Sequence, residues 1–251
     1  MLLIHGFAAS ADWWMFTAPF LARGRRVVAL SLSSGGRSGW RDSYDIEQWT
    51  REAVGVAQAR GVLDGGPAVI AAHSFGGTAG AGAATALGKA VAAFIALDRP
   101  IDQLGRNWPG ARGPKPPSRF TSPEEAVAHY RTRPMVLDAE PAVMAHVAKA
   151  AVRRLPPEEG GEWVWRQDPA FRTKMLPGSL SMASDLAAMH ATPTFLRGAH
   201  SELFTLADAQ EVRDGGMDVI EIPGANHHLM LDQPLAVCVA IDAIARAALS
   251  R

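Results

Sequence analysis

The chain has 251 residues, 48% of them hydrophobic, and 25 Lys+Arg balance 25 Asp+Glu, so the formal net charge is zero. That balance supplies no basic face for nucleic acid or an anionic membrane, and the lone cysteine, Cys238, excludes an internal disulfide. No apolar run approaches the roughly 20 residues of a membrane span, and the opening reads as no signal peptide, so a cytoplasmic protein with a small-molecule substrate, and with neither a membrane nor a nucleic-acid partner, is expected.

In chain order, strands are expected near 1–4, 26–31, 67–72, 92–97, 193–197 and 218–222, and helices near 11–23, 45–60, 76–88, 205–213 and 233–249. Strand alternating with helix implies a parallel sheet covered on both faces. Residues 99–190 break the alternation and read as an inserted, mostly helical lid. Within it, Asn107 to Pro117 is Pro- and Gly-rich and reads as a linker. Thr121-Ser122-Pro123-Glu124-Glu125 has a hydroxyl cap, an early proline and acids at the positive end of the dipole. Helices are expected near 123–132 and 140–155. Trp163 and Trp165 either both fill the lid core or divide, one to the cleft and one to the lid. Of Trp13 and Trp14, one is expected under the sheet and the other at the pocket.

The chemistry concentrates in three places. Ala72-His73-Ser74-Phe75-Gly76-Gly77 follows an apolar run and precedes a Gly/Ala-rich segment. A serine at such a strand–turn–helix apex is thrust out of the sheet, and the Phe75 N–H lies at a helix start, where backbone donors are unpaired by the helix itself. A serine nucleophile needs such donors and a base. Met1-Leu2-Leu3-Ile4-His5-Gly6-Phe7 is a strand running into a turn that aims the Phe7 N–H at the same point, with His5 as a structural pin. Near the far end, Pro223-Gly224-Ala225-Asn226-His227-His228 ends a strand in a turn followed by histidine. His227 is the candidate base; His228 is expected to pack or bond locally.

Taken together, strand–His5-Gly6, His73-Ser74-Phe75-Gly76 and the late Gly224-Ala225-Asn226-His227 resemble the α/β-hydrolase superfamily over essentially the whole chain. The stretch Ser31 to Ser38 resembles that family's loop after the strand preceding the elbow, with Ser31 in place of the usual aspartate. The resemblance implies a core of residues 1–98 and 191–251 around a lid of 99–190. It also implies a carboxylate partner for His227. Asp98, at the end of the strand after the elbow helix, is the first choice, since relatives using that position often carry Gly-x-x-Ser, as Gly198-Ala199-His200-Ser201 does here. Glu202 is the alternative. The family usually opens with an antiparallel hairpin, whereas this sequence starts inside the His-Gly strand; either the start lies further upstream or two strands are missing, in which case the strand at 26–31 is expected to be a bare edge.

The implied activity is hydrolysis of a carboxylic ester of a small, apolar substrate. Ser74 would be the nucleophile, His227 the base, and the amides of Phe7 and Phe75 the oxyanion donors. No cofactor is expected, and the eight histidines show no metal-ligand spacing along the chain. Cleavage of a carbon–carbon bond or a lactone by the same groups is the alternative reaction. A non-catalytic small-molecule binder on the same fold is the alternative class.

Overall fold

The computed structural model describes residues 1–102, 118–176, 178 and 180–250; the linker expected at 107–117 lies outside them. The chain opens with β1 (Leu2–Ile4), a 3-10 turn (Ala11–Trp14), α1 (Ala18–Leu21), β2 (Val28–Leu30), α2 (Ile46–Ala59), β3 (Ala68–His73), α3 (Gly76–Leu87) and β4 (Val91–Leu97). There follow β5 (Arg119–Phe120), α4 (Pro123–His129), α5 (Pro141–Ala150), β6 (Val152–Arg154), β7 (Trp163–Trp165), α6 (Phe171–Lys174) and α7 (Ala183–Ala188). The fold closes with β8 (Thr192–Gly198), α8 (Leu206–Asp214), β9 (Asp218–Ile222), α9 (Leu229–Asp232) and α10 (Pro234–Leu249).

Six of these strands form one sheet, ordered β2-β1-β3-β4-β8-β9. All its pairings are parallel. The strand period of two explains how it is covered. Leu2, Ile4, Ile70, Ala72, Phe94, Ala96 and Phe195 face one layer, with Trp49 and Ala53 of α2, Ala83 of α3 and Val212 of α8. Leu3, Val69, Ala71, Ala93, Ile95, Leu97 and Leu196 face the other, with Trp14, Leu21 and Val237, Ile241 and Ala245 of α10. Apolar residues on both faces make these strands read as continuous hydrophobic runs, as buried parallel strands must. Side-chain caps fix two of the helix starts: Asp45 accepts from the Gln48 amide, and Thr205 and Asp208 form a reciprocal capping box. Strand β2 is an edge, as expected, and pairs only with β1 among the described residues.

Two expectations need correction. The helix expected over 11–23 is a 3-10 turn and a separate four-residue helix, because Ser10 caps one start and Pro19 stands at the next. The helix expected over 140–155 stops at Ala150; Val152–Arg154 pairs with Trp163–Trp165 instead. Among its described residues the insertion carries the helices α4, α5, α6 and α7, and β5, β7 and β6 add a short antiparallel three-stranded sheet that the sequence reading did not anticipate. Trp163 and Trp165, two residues apart on one strand, share a face. Both pack on the small core of Phe120, Ala126 and Val152, so neither divides off to the cleft. The expected cap at Ser122 is present and accepts from the Glu125 amide.

Backbone and side-chain bonds tie this insertion to loops of the core. The Asp168 amide donates to Ser34 O and the Tyr44 amide to Lys174 O. Tyr44 Oη, Lys174 Nζ and the buried Asp168 carboxylate form a further bridge, at 2.7 and 2.9 Å. Among the described residues, no helix is long and apolar enough to cross a membrane.

Candidate active site

Strand β3 ends at His73, and α3 begins at Gly76. Ser74 between them has φ 50°, a left-handed conformation that costs a non-glycine residue energy and is kept where surroundings enforce it. The enforcement is visible. A Cβ on Gly76 would lie 2.1 Å from His5 O, and one on Gly6 would lie 2.7 Å from His73 Nδ1. Loop and elbow thus meet backbone to backbone, which only glycine allows. Gly80 serves α3 similarly, since a Cβ there would stand 2.7 Å from Ala72 Cβ.

The fold brings Ser74, His227 and Asp98 together from three separate loops. His227 Nε2 lies 2.8 Å from Ser74 Oγ, and its Nδ1 lies 2.6 Å from Asp98 Oδ2. The carboxylate can only accept, so Nδ1 carries the proton and Nε2 presents its lone pair to the serine. Asp98 is fully buried. Its charge is met by three donors: His227 Nδ1, the Gly198 amide at 2.9 Å to Oδ1, and Ser201 Oγ at 2.5 Å to Oδ2. Asp98 also adopts a positive φ, 48°. Of the two carboxylates weighed from the sequence, Asp98 is therefore the one that meets His227. Glu202 is exposed, because its neighbour Ser201 turns inward and takes the place beside Asp98.

Phe75 occupies the N-cap position of α3, so its amide lies at the positive end of that helix. Phe7 stands in the turn after β1, next to Ala8 at φ 54°. Their rings meet edge to face at 6.0 Å, and Phe171 lies 4.9 Å from Phe7 and Trp49 5.1 Å from Phe75. These four rings, with His5 and Leu32, line a narrow cleft beside the serine turn. A larger cavity of about 480 Å³ opens beside β2 and α2 and is lined by none of Ser74, His227 and Asp98.

His5 is the structural pin the sequence implies. Its Nε2 accepts from the Leu32 amide at 3.0 Å, which leaves Nδ1–H to donate to Gly6 O at 2.7 Å. Burial drops its pKa to about 4, so it stays neutral. His228 is buried and packs, as expected, but its hydrogen bond is not local: its Nε2 donates to Pro134 O of the insertion, 94 residues away, at 3.0 Å. Trp14 is fully buried under the sheet, while Trp13 packs edge-on to His228 at 5.0 Å. Cys238 is buried and burial raises its thiol to about 11, as befits a small packing residue.

Sequence reasoning missed several supporting groups. Asp232 is buried and accepts from the Asn226 amide at 2.9 Å and the Leu137 amide at 2.7 Å. It fastens the His227 loop to the insertion. His73 is also buried and donates Nε2–H to His227 O at 2.8 Å. Only the adjacency of His73 to Ser74 hints at this; nothing local marks Asp232.

The thioesterase domain from the curacin biosynthetic pathway superposes with a TM-score of 0.79 at 21% identity, covering 96% of this chain and 89% of that one. E-2-(acetamidomethylene)succinate hydrolase gives 0.77 at 19% identity, over 98% and 91%. The esterase Rv0045c from Mycobacterium tuberculosis gives 0.70 at 22% identity, over 100% and 83%. These likenesses speak to the fold. In sequence, the dihydrolipoyllysine-residue acetyltransferase component of the acetoin cleaving system of Pseudomonas putida is 33% identical over 78 residues, which is 31% of this chain and 20% of that protein. The model of the alpha/beta hydrolase family matches residues 1–241, and the chain belongs to that family.

Proposed function

We propose that this hydrolase-family protein cleaves the carboxylic ester of a small, largely apolar substrate through an acyl-enzyme on Ser74. The observation that carries the reading is the hydrogen-bonded run Ser74 Oγ–His227 Nε2, His227 Nδ1–Asp98. In the first half, Ser74 Oγ attacks the ester carbonyl and its proton passes to His227 Nε2. The imidazolium so formed keeps its Nδ1–H on the Asp98 carboxylate, which orients and stabilises it. The oxyanion lies between the amides of Phe7 and Phe75. Collapse expels the alcohol, which takes the proton from His227. In the second half, water loses a proton to the same nitrogen, attacks the acyl group and releases the acid and Ser74.

Residues 99–190 act in this reading as a lid over the serine, and the cleft of Phe7, Trp49, Phe75 and Phe171 takes the acyl chain. A mostly aromatic wall, with Arg172 Cζ 5.4 Å from the Phe7 ring centroid, favours an apolar acyl part, and a free volume of only about 10 Å³, which must widen on binding, favours a short one. A series of p-nitrophenyl esters of rising acyl length tests this. The expected result is turnover with kcat/KM highest for the shortest acyl chains and lost in Ser74→Ala. Absence of turnover across the series, or turnover that survives Ser74→Ala, refutes it.

A further inference from the structure

Folding brings His73 against the consecutive pair His227 and His228; all three are buried, each with a ring nitrogen within 4.8 Å of the others. Their ring centroids lie 4.8 to 5.6 Å apart. In each, one nitrogen is committed to an acceptor. His73 Nε2 faces His227 O, His228 Nε2 faces Pro134 O and His227 Nδ1 faces Asp98. A carbonyl or carboxylate oxygen cannot donate, so these nitrogens carry the protons and the opposite ones carry lone pairs. Two of those lone pairs, on His73 Nδ1 and His228 Nδ1, are buried without any hydrogen-bond partner. The third, His227 Nε2, faces Ser74 Oγ.

Imidazoles whose far N–H is held by a carbonyl or carboxylate are what transition-metal sites use to fix tautomer and ring orientation. We infer that His73, His227 and His228 form a binding site for a borderline-soft divalent cation such as Zn²⁺, and that its occupation shuts off Ser74. Three neutral imidazoles and one oxygen make a tetrahedral zinc set. Ser74 Oγ or a water completes it, and Asp98, bonded to His227, supplies the counter-charge. Zinc–nitrogen bonds of about 2.0–2.1 Å put ligand nitrogens about 3.4 Å apart, so nitrogens now up to 4.8 Å apart close by up to about 1.4 Å on binding. Bound metal occupies His227 Nε2, the lone pair that would receive the serine proton. Hard cations, which take oxygen ligands, are not accommodated.

The inhibition rests on the role proposed for His227; the binding does not, and the two are read separately. Equilibrium dialysis of the full chain against zinc chloride reads binding. One zinc per chain is expected, no calcium, and an affinity lowered about tenfold or more in His228→Gln. Zinc-edge X-ray absorption on the wild-type protein avoids any folding defect of the variant and is expected to find two or three imidazole ligands. Labelling of Ser74 by a fluorophosphonate reads inhibition: zinc should slow it and a chelator restore it. No stoichiometric zinc, fewer than two imidazoles, or a folded His228→Gln that binds as tightly as wild type overturns the site. Zinc bound there with labelling at its former rate overturns the inhibition. Protein that is unlabelled even in chelator instead counts against the serine-hydrolase reading.

Discussion

Gly198 and Asn226 approach so closely that a Cβ on Gly198 would stand 2.2 Å from Asn226 O. The Gly198 amide holds Asp98 Oδ1, and Asn226 precedes His227. One missing methyl group therefore sets the spacing between the acid and the base. Gly198→Ala should destabilise the fold by about 1–3 kcal/mol, as overpacking does, and lower kcat by pushing the His227 loop outward. Urea unfolding with parallel kinetics checks both; an unchanged midpoint and rate would mean the contact relaxes freely.

The choice of acid has its own test. Asp98→Asn should lower kcat by about 10³–10⁴-fold with little change in KM, because an amide no longer fixes the tautomer that offers Nε2 to the serine. Exposed Glu202→Gln should leave turnover unchanged. Ser201→Ala should fall between them, because it removes one of three donors to Asp98 and the acceptor for the Leu203 and Phe204 amides. Steady-state ester kinetics on the three variants reads the order directly.

The strand succession was legible because buried parallel strands such as Val91–Leu97 are continuous apolar runs, and Ser74 and His227 were legible because each follows such a run through a glycine-bearing turn. The acid was narrowed to two by family resemblance and not to one. Asp98 and Glu202 are both loop carboxylates, and burial of one depends on Gly198 and Ser201, a hundred residues from Asp98. The insertion was least legible. Val152–Arg154 becomes a strand only because Trp163–Trp165 arrives beside it, a cross-strand pairing that the propensity of either segment alone cannot register. The histidine cluster was invisible for the same reason, since its members come from β3 and from the loop before α9.

Asp232 links the base to the insertion. Asp232→Ala leaves the Asn226 and Leu137 amides without their acceptor and should cost about 1–3 kcal/mol. Asp232→Asn keeps one acceptor oxygen and should cost less. Thermal melts order the pair, and the same variants should lose activity before they lose fold, because the His227 loop loosens first. Equal melting temperatures for all three proteins would remove Asp232 from the account.

Acid should weaken the fold through His5. Its pKa falls from the ordinary 6.5 to about 4 on folding because burial disfavours the charged ring. Above pH 6.5 both folded and unfolded chains hold it neutral, and its contribution is fully present. Between pH 6.5 and 4 only the unfolded chain takes the proton, so stability falls as pH falls, by up to about 1.4 kcal/mol per unit. Urea unfolding across this range should show a shallower slope in His5→Gln than in wild type. Parallel slopes would show that His5 does not carry this linkage.

Incubation with a fluorophosphonate, followed by peptide mass spectrometry, addresses the reactive hydroxyl itself. The adduct should fall on Ser74 alone, form at least about 10³-fold more slowly in His227→Ala, and be absent in Ser74→Ala. A folded wild-type protein that takes up no label, or takes it up on another residue, would contradict the account.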